Sequence, residues 1–360
     1  VEYVDVIKKP ELARAAGITS AGTAVVQVGN KKEQAKSLTE EGVTGAFIRD
    51  LKNNARTVCF LTGSGEHQID QAGQSGYSDL KNVLAKDEYT SKSVSLIGQT
   101  EVPQDCTVLV IGGPTKNYQQ TEVDAIKKYV ESGGRAFFML DPPLKMGHSE
   151  IAENDALSNL LESWGVTLDK DLVLDPLGQV VGLNQEWAVV TSYDPHPIVN
   201  ELKGTATAFP GTRSLTVKST DKTNVEKLFD SSRASMGIAK LNSPRIDVND
   251  PDNKKGPLPI AAAGTYNTGK ENVQGRFVVV GSSTWATDAA LGFNGNADLA
   301  SNAVNWLASD EDLISIRPKD PDNRRITMTA RQFLWVRTAS QFLFPLAAVI
   351  AGVSVWWKRR

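Results

Sequence analysis

Four apolar runs, each passing without a break into a turn, restrict this chain more than any other feature. Val58–Thr62 (VCFLT) enters Gly63-Ser64-Gly65-Glu66-His67, and Thr107–Ile111 (TVLVI) enters Gly112-Gly113-Pro114. Ala136–Leu140 (AFFML) delivers Asp141-Pro142-Pro143, and Arg276–Val280 (RFVVV) leads to Gly281-Ser282-Ser283. Short continuous apolar runs bounded by turn residues fit strands buried on both faces. Helical segments separate them: Ser78–Lys86, a helix opening at Thr121-Glu-Val-Asp124, Asp155–Trp164 and Ala297–Leu307. In the second, Val123, Ile126 and Val130 share one side, Thr121 to Asp124 fits a capping box with Asp in place of Glu, and Gly133-Gly134 stops it. Strands at Ser93–Ile97 and Pro259–Ala263 complete the set. Strands alternating with helices of this size predict an α/β fold on a mainly parallel sheet, of flavodoxin or class I amidotransferase type.

The flanks read differently. Val1–Ile7 alternates as a strand, Pro10–Ala16 reads as a short helix, and Thr23–Val28 as a second strand. A charged connection, Asn30–Glu41, and a helix at Thr44–Asn53 follow. Residues 1–54 thus look like part of a small α/β unit, and the main domain is expected over 55–309. Within it, 165–255 carries short β-like pieces (Asp171–Leu174, Trp187–Thr191, Thr205–Phe209, Arg213–Val217) separated by Gly, Pro and Asp, and reads as a β-rich elaboration. Asn249–Gly256 reads as an exposed loop.

A polar juxtamembrane segment, 310–334, leads to a predicted transmembrane helix at 335–357. Its core, Thr338–Trp357, has no charged residue, and roughly twenty residues at 1.5 Å rise span a ~30 Å hydrocarbon layer. Trp335 at one end and Trp356-Trp357 at the other suit the two interfaces, and Pro345 would kink the helix. The basic end 358–360 (Lys358-Arg359-Arg360) marks the cytoplasmic side, which puts the bulk of the chain outside the cytoplasmic membrane. The abrupt opening VEYVDVI leads us to expect upstream sequence with another membrane segment.

A net charge of −3 over 360 residues, with no basic stripe, argues against nucleic acid. Cys59 lies inside one apolar run and Cys106 just before another; both read as core or near-core, with a single bridge an open possibility. No cofactor or metal is expected. The three histidines, His67, His148 and His196, have no metal-type spacing, and the absence of G-x-x-x-x-G-K-[ST] excludes a P-loop ATPase.

The turns after the strands would gather at one sheet edge, where ligands bind in open α/β folds. Candidate cleft or contact residues are therefore Gly63, Ser64, Gly65, Glu66, His67, Gly112, Gly113, Asp141, Ser282, Ser283 and Trp285. Glu66, His67 and Asp141 are of acid, base or metal-ligand type; equally, the glycines permit tight turns and Asp141 caps one. Trp285 packs or lines the cleft. His196, between Pro195 and Pro197, reads first as a packed structural histidine. Neither cysteine stands on a strand-to-helix elbow, and Ser64 lacks the G-x-S-x-G frame.

An ordered series of short matches adds a further lead: Phe60–Glu66, Tyr77–Leu80, Val102-Pro103, Val108–Pro114 and Glu122. It continues through Gly133–Arg135, Leu140–Pro142, His196–Ile198, Val278–Ser283, Gly295-Asn296, Asn302–Leu307 and Ile316–Lys319, and ends at Pro345-Leu346 with the terminal basic residues. In these the chain resembles the GldG-type family, extracytoplasmic auxiliary components of ABC transport systems with an intraflagellar-transport-like domain. The resemblance implies a membrane-anchored, non-catalytic partner of an ABC-2-type permease and a separate cytoplasmic ATPase, in some bacteria tied to gliding motility. It implies residence in the bacterial inner membrane with the soluble part periplasmic. It also implies a thioredoxin-like first unit, here truncated and without C-x-x-C. Ser64 stands where the family often has His. Two other readings use the same cleft: an envelope glycan-binding module, and a degenerate amidotransferase-like hydrolase with a nucleophile about 3 Å from a base beside an oxyanion site.

Overall fold

The computed structural model describes residues 56–308 apart from 147–148, 242–246 and 272. It also describes 8, 11, 18, 23–28, 31–35, 43, 341, 353 and 355–359. The chain divides into two compact units, Val1–Arg317 and Pro318–Arg360.

A seven-stranded sheet organises the first unit. Its strands are β1 (Thr57–Leu61), β2 (Thr90–Val94), β3 (Val108–Gly112), β4 (Arg135–Met139), β5 (Thr223–Asp230), β6 (Pro259–Asn267) and β7 (Gln274–Val280). They lie in the order β5-β6-β7-β4-β3-β1-β2. From β7 to β2 all neighbours are parallel, while β6 runs antiparallel to β7 and β5 antiparallel to β6. The expected parallel α/β sheet is therefore present, extended at one edge by two antiparallel strands.

The apolar runs are continuous because both sheet faces are covered. Val58, Phe60, Val108, Val110, Phe137, Met139, Val278 and Val280 point to one core; Cys59, Leu61, Leu109, Ile111, Ala136, Phe138, Phe277 and Val279 point to the other. Helix α1 (Ser78–Lys86) with Leu80 and Leu84, and helix α4 (Asn296–Leu307) with Leu299, Ala303 and Val304, close the first core. Helix α2 (Gln120–Glu131) with Val123, Ile126 and Val130, and helix α3 (Asp155–Ser163) with Leu157, Leu160 and Leu161, close the second. This is a three-layer sandwich with two cores, the arrangement that demands strands apolar at every position.

Several expectations need correction. Helix α2 starts at Gln120, and its capping contact runs from the Gln119 N–H to the Glu122 carboxylate at 2.9 Å, not through Thr121 and Asp124. Gly133 ends it as expected, at φ +107°. Strand β2 sits three residues earlier than Ser93–Ile97, because its register is set by pairing Thr57 with Thr90 through Leu61 with Val94. As an edge strand it has no apolar run to mark its start. The elaboration at 165–255 is not wholly outside the sheet: Thr223–Asp230 enters it as β5. A register shift between Lys227 and Phe229 breaks the alternation that would have revealed this strand. The charged connection at 30–41 contains a strand, Lys31–Gln34, paired antiparallel with Val25–Val28.

Cys59 and Cys106 form a disulfide, with 5.6 Å between their Cα atoms. The bridge joins the middle of β1 to the residue two before β3, resolving the open possibility in favour of a bond. No helix among the described residues is long and apolar enough to cross a membrane. The predicted transmembrane helix at 335–357 falls almost wholly outside those residues, as do the strand at 1–7, the helix at 44–53, most of the helix at 10–16, and His148.

Candidate functional site at the carboxyl edge of the sheet

The four turns do meet at the carboxyl ends of the parallel strands. Strands β2 and β3 lie on opposite sides of β1, so the loops after β1 and β3 bracket the switch point where α/β folds commonly bind ligands. The His67 backbone N–H donates to the Gly112 carbonyl at 2.9 Å. The Thr115 and Lys116 N–H groups both donate to the Ser64 carbonyl, at 2.9 and 2.8 Å, and the Gly113 N–H donates to Met139 at 2.9 Å. Donors of the kind that form an anion cradle are here spent on neighbouring loops.

At the centre stands Ser283. Its N–H donates to Asp141 Oδ1 at 2.6 Å, and its Oγ lies 2.5 Å from Asp141 Oδ2 and 2.9 Å from His67 Nε2. His67 Nδ1 lies 2.7 Å from the Ser75 carbonyl, an acceptor only, so Nδ1 carries a hydrogen. One hydroxyl hydrogen cannot serve both neighbours of Ser283. A complete set of bonds needs one further proton, held either as imidazolium at His67 or as the carboxylic acid of Asp141. The chain Asp141–Ser283–His67 is thus a one-proton relay. Burial pushes the Asp141 carboxyl upward, opposed by the Ser283 bonds and by the positive charges of His67 and Arg213.

Two participants were not foreseen from the sequence. Tyr77, fully buried, donates its hydroxyl to the Ser283 carbonyl at 2.9 Å, and burial drives its phenol pKa up. Arg213, expected only to open a strand, instead reaches carbonyls of Asp169 (2.6 Å), Asp141 (3.2 Å) and Leu168 (3.2 Å). Burial pulls its guanidinium down to about 10 despite Asp171, Asp169 and Asp141. Arg213 thereby clamps the elaboration to the loop after β4. Only its lone charge in an apolar neighbourhood could have pointed to this role.

The remaining candidates separate. Glu66 belongs to a different joint, accepting from the Ser64 N–H at 2.8 Å and the Tyr118 hydroxyl at 2.6 Å. Ser282 is fully buried and donates to the Pro210 carbonyl at 2.6 Å. Trp285 is also fully buried, packed on Phe137 and Phe209, so it packs rather than lining a cleft. Gly63 and Gly65 stay exposed at φ +126° and +86°. Gly112 and Gly113 are required by contact: a Cβ at Gly112 would stand 2.6 Å from the Tyr77 ring, and one at Gly113 would stand 2.5 Å from Ser283 Oγ. His196 is a core residue, its ring 5.0 Å from that of Trp306.

The hydrolase geometry is met by half. Ser283 Oγ is within 3 Å of an imidazole nitrogen. However, the residue has no exposed surface, and the acid sits on the serine rather than behind the imidazole. The arrangement can hold and share a proton; it does not present a nucleophile. No group of three or more His, Cys, Asp or Glu suited to a metal occurs among the described residues.

Comparison with known proteins agrees with this architecture. The chain is similar in structure to the mmIFT52 N-terminal domain, at 18% identity and a TM-score of 0.50, over 70% of this chain and 97% of that one. Looser likenesses include a putative ThuA-like protein from Bacteroides uniformis (13% identity, TM-score 0.41, covering 71% and 93%). Another is a putative GMP synthase component from Thermoplasma acidophilum (8%, 0.37, covering 73% and 98%). No curated protein sequence matches the chain. The family described as ABC-type uncharacterized transport system matches residues 55–310, the whole of the seven-stranded sheet and its helices. The chain belongs to this family of auxiliary components of ABC-type transport systems.

Proposed function

We propose that this protein is a non-catalytic, extracytoplasmic auxiliary component of an ABC transport system, of the GldG type. Its α/β domain contacts the permease and engages cargo of gliding-motility or general export, while ATP turnover belongs to a separate cytoplasmic chain. A helix at 335–357 anchors it in the bacterial inner membrane, and residues 1–54 contribute part of a thioredoxin-like unit.

The observation that carries the non-catalytic reading is the state of Ser283: fully buried, its hydroxyl held between Asp141 and His67. Loops that cross-link each other make a rigid platform for a protein contact and a poor reaction chamber. The Cys59–Cys106 disulfide supports the extracytoplasmic placement, since such bonds persist in oxidising compartments. The family supports the transporter setting.

The test is purification of the membrane form in mild detergent or nanodiscs, followed by mass spectrometry. Near-stoichiometric recovery of an ABC permease and its ATPase is the expected result. Recovery of the chain alone would overturn the reading.

A further inference from the structure

Between β1 and α1, residues 68–77 form an irregular loop whose stretch 70–75 is exposed throughout. Ile69, buried, roots it in the core. The Tyr77 N–H closes it by donating to the Gln68 carbonyl at 3.0 Å. Asp288 ties it from outside, accepting from the Gly73 N–H at 3.2 Å and donating its own N–H to the Gly76 carbonyl at 2.9 Å. The remaining tie is His67. Its half-buried ring spans from the Ser75 carbonyl (2.7 Å) to Ser283 Oγ (2.9 Å), and so fastens the loop to the turn after β7.

That tie depends on the extra proton of the relay. With it, every bond is made. Either His67 donates from both nitrogens, or protonated Asp141 donates to Ser283 Oγ and the serine hydroxyl donates to Nε2. Without it, Asp141 is a carboxylate and His67 a neutral ring with one N–H. The Ser283 hydrogen then goes to the carboxylate, the stronger acceptor, 2.5 Å away. If the imidazole hydrogen stays on Nδ1, the Nε2 lone pair faces the lone pairs of Ser283 Oγ. If it moves to Nε2, the Nδ1 lone pair faces the Ser75 carbonyl. In either tautomer His67 keeps one bond and loses the other.

The groups packed around the pair do not replace the lost proton. Tyr77, its ring 4.9 Å from that of His67, gives its hydrogen to the Ser283 carbonyl, and burial keeps the phenol neutral. Arg213, from the elaboration, donates to the Asp141 carbonyl. Asp288 is engaged by the Ser78 hydroxyl at 2.7 Å and the Asp79 N–H at 2.8 Å, and Glu66 by Tyr118.

We propose that Asp141, Ser283 and His67 form a pH-operated latch on residues 68–77, closed while the shared proton is present and released when it leaves. Closed, the loop is pinned to the turn after β7; released, the exposed stretch 70–75 is free to open. The sign follows from the carboxyl that burial pushes upward: the stability it lends is present in acid and is lost as pH rises. A partner contacting this loop would thereby sense the pH of its compartment. That use rests on the contact role proposed above, whereas the latch itself does not.

The test is hydrogen exchange with mass spectrometry on the full chain in nanodiscs, without any partner. Protection of peptides spanning 68–77, corrected for intrinsic exchange, is compared at about pH 5 and about pH 8, which bracket the titration of imidazoles and raised carboxyls. Wild type is expected to lose about tenfold in protection at the higher pH, while peptides of β1 and β3 hold theirs. In Asp141→Asn the amide donates to Ser283 Oγ as the protonated acid does, leaving the hydroxyl free to donate to neutral His67. Its loop should therefore stay protected at both pH values. Equal loop protection in wild type at the two pH values would overturn the latch, as would an Asp141→Asn loop that loosens with pH as wild type does. If Asp141→Asn failed to fold, its β1 and β3 peptides would show it, and the wild-type comparison would still decide. Failure here leaves the transporter reading intact, because recovery of a permease and ATPase is a separate measurement.

Discussion

The two edges of the one sheet are built on opposite principles. At the carboxyl edge, Asp141, Ser283, His67, Tyr77 and Glu66 are tied into hydrogen bonds between loops, and the glycines beside them leave no spare room. At the amino edge, Arg135, Arg276, Lys222 and Lys270 line an open pocket together with Asp221 and a set of hydroxyl and amide side chains. Polar groups that answer each other across loops leave a closed, cross-linked edge; the amino edge stays open.

Four experiments break or sharpen this contrast. The largest effect is expected from Cys59→Ala with Cys106→Ala, which unties the two strands bearing the carboxyl-edge loops. Closing a loop of 47 residues corresponds to about 4 kcal/mol by chain entropy, read as a lowered urea midpoint. No change in midpoint on removing both thiols would mean that packing alone holds the edge. Next is Gly113→Ala, which meets both a φ of +68° and a Cβ 2.8 Å from the His67 ring. A loss of about 3 kcal/mol is expected, and tolerance would show the relay to be loose.

A smaller effect separates the relay from an inert hydrogen-bond cluster. Because burial raises the folded-state pKa of Asp141, its stabilising contribution is complete below the ordinary aspartate range and fades as pH rises through the raised value. The stability advantage of wild type over Asp141→Asn should therefore be greatest in acid and shrink toward neutrality, with His67, Arg213 and Tyr77 as the charged or titratable neighbours. An advantage that grows with pH would reverse the assignment. Smallest of all, Lys222→Gln with Lys270→Gln should leave the unfolding midpoint within about 0.5 kcal/mol of wild type. A large loss there would make the amino edge structural too.

Much of the architecture was legible because burial on both faces leaves an unmistakable trace. VCFLT, TVLVI, AFFML and RFVVV are almost unbroken apolar runs, and each became a central strand. The strands that went astray, Thr90–Val94 and Thr223–Asp230, are the two edges of the sheet, half-exposed and in one case bulged. An edge strand takes its register from its neighbour, and no local pattern reports that. Among site residues, the sequence placed His67, Asp141 and Ser283 on turns expected at one edge, and these do meet. It could not say that Glu66, one residue from His67, turns to Tyr118 instead.

By itself the sequence determined the layered α/β class, the gathering of Gly-rich turns at one edge, and the absence of a P-loop, because these follow from short-range periodicity and composition. Only the tertiary structure decided that Cys59 bonds Cys106, that Arg213 clamps the elaboration, that Trp285 packs inward, and that four cations from 135, 222, 270 and 276 share one cavity. Each of these joins residues far apart in the chain. Such pairings are set by how strands order themselves in the sheet, a property that no stretch of sequence carries alone.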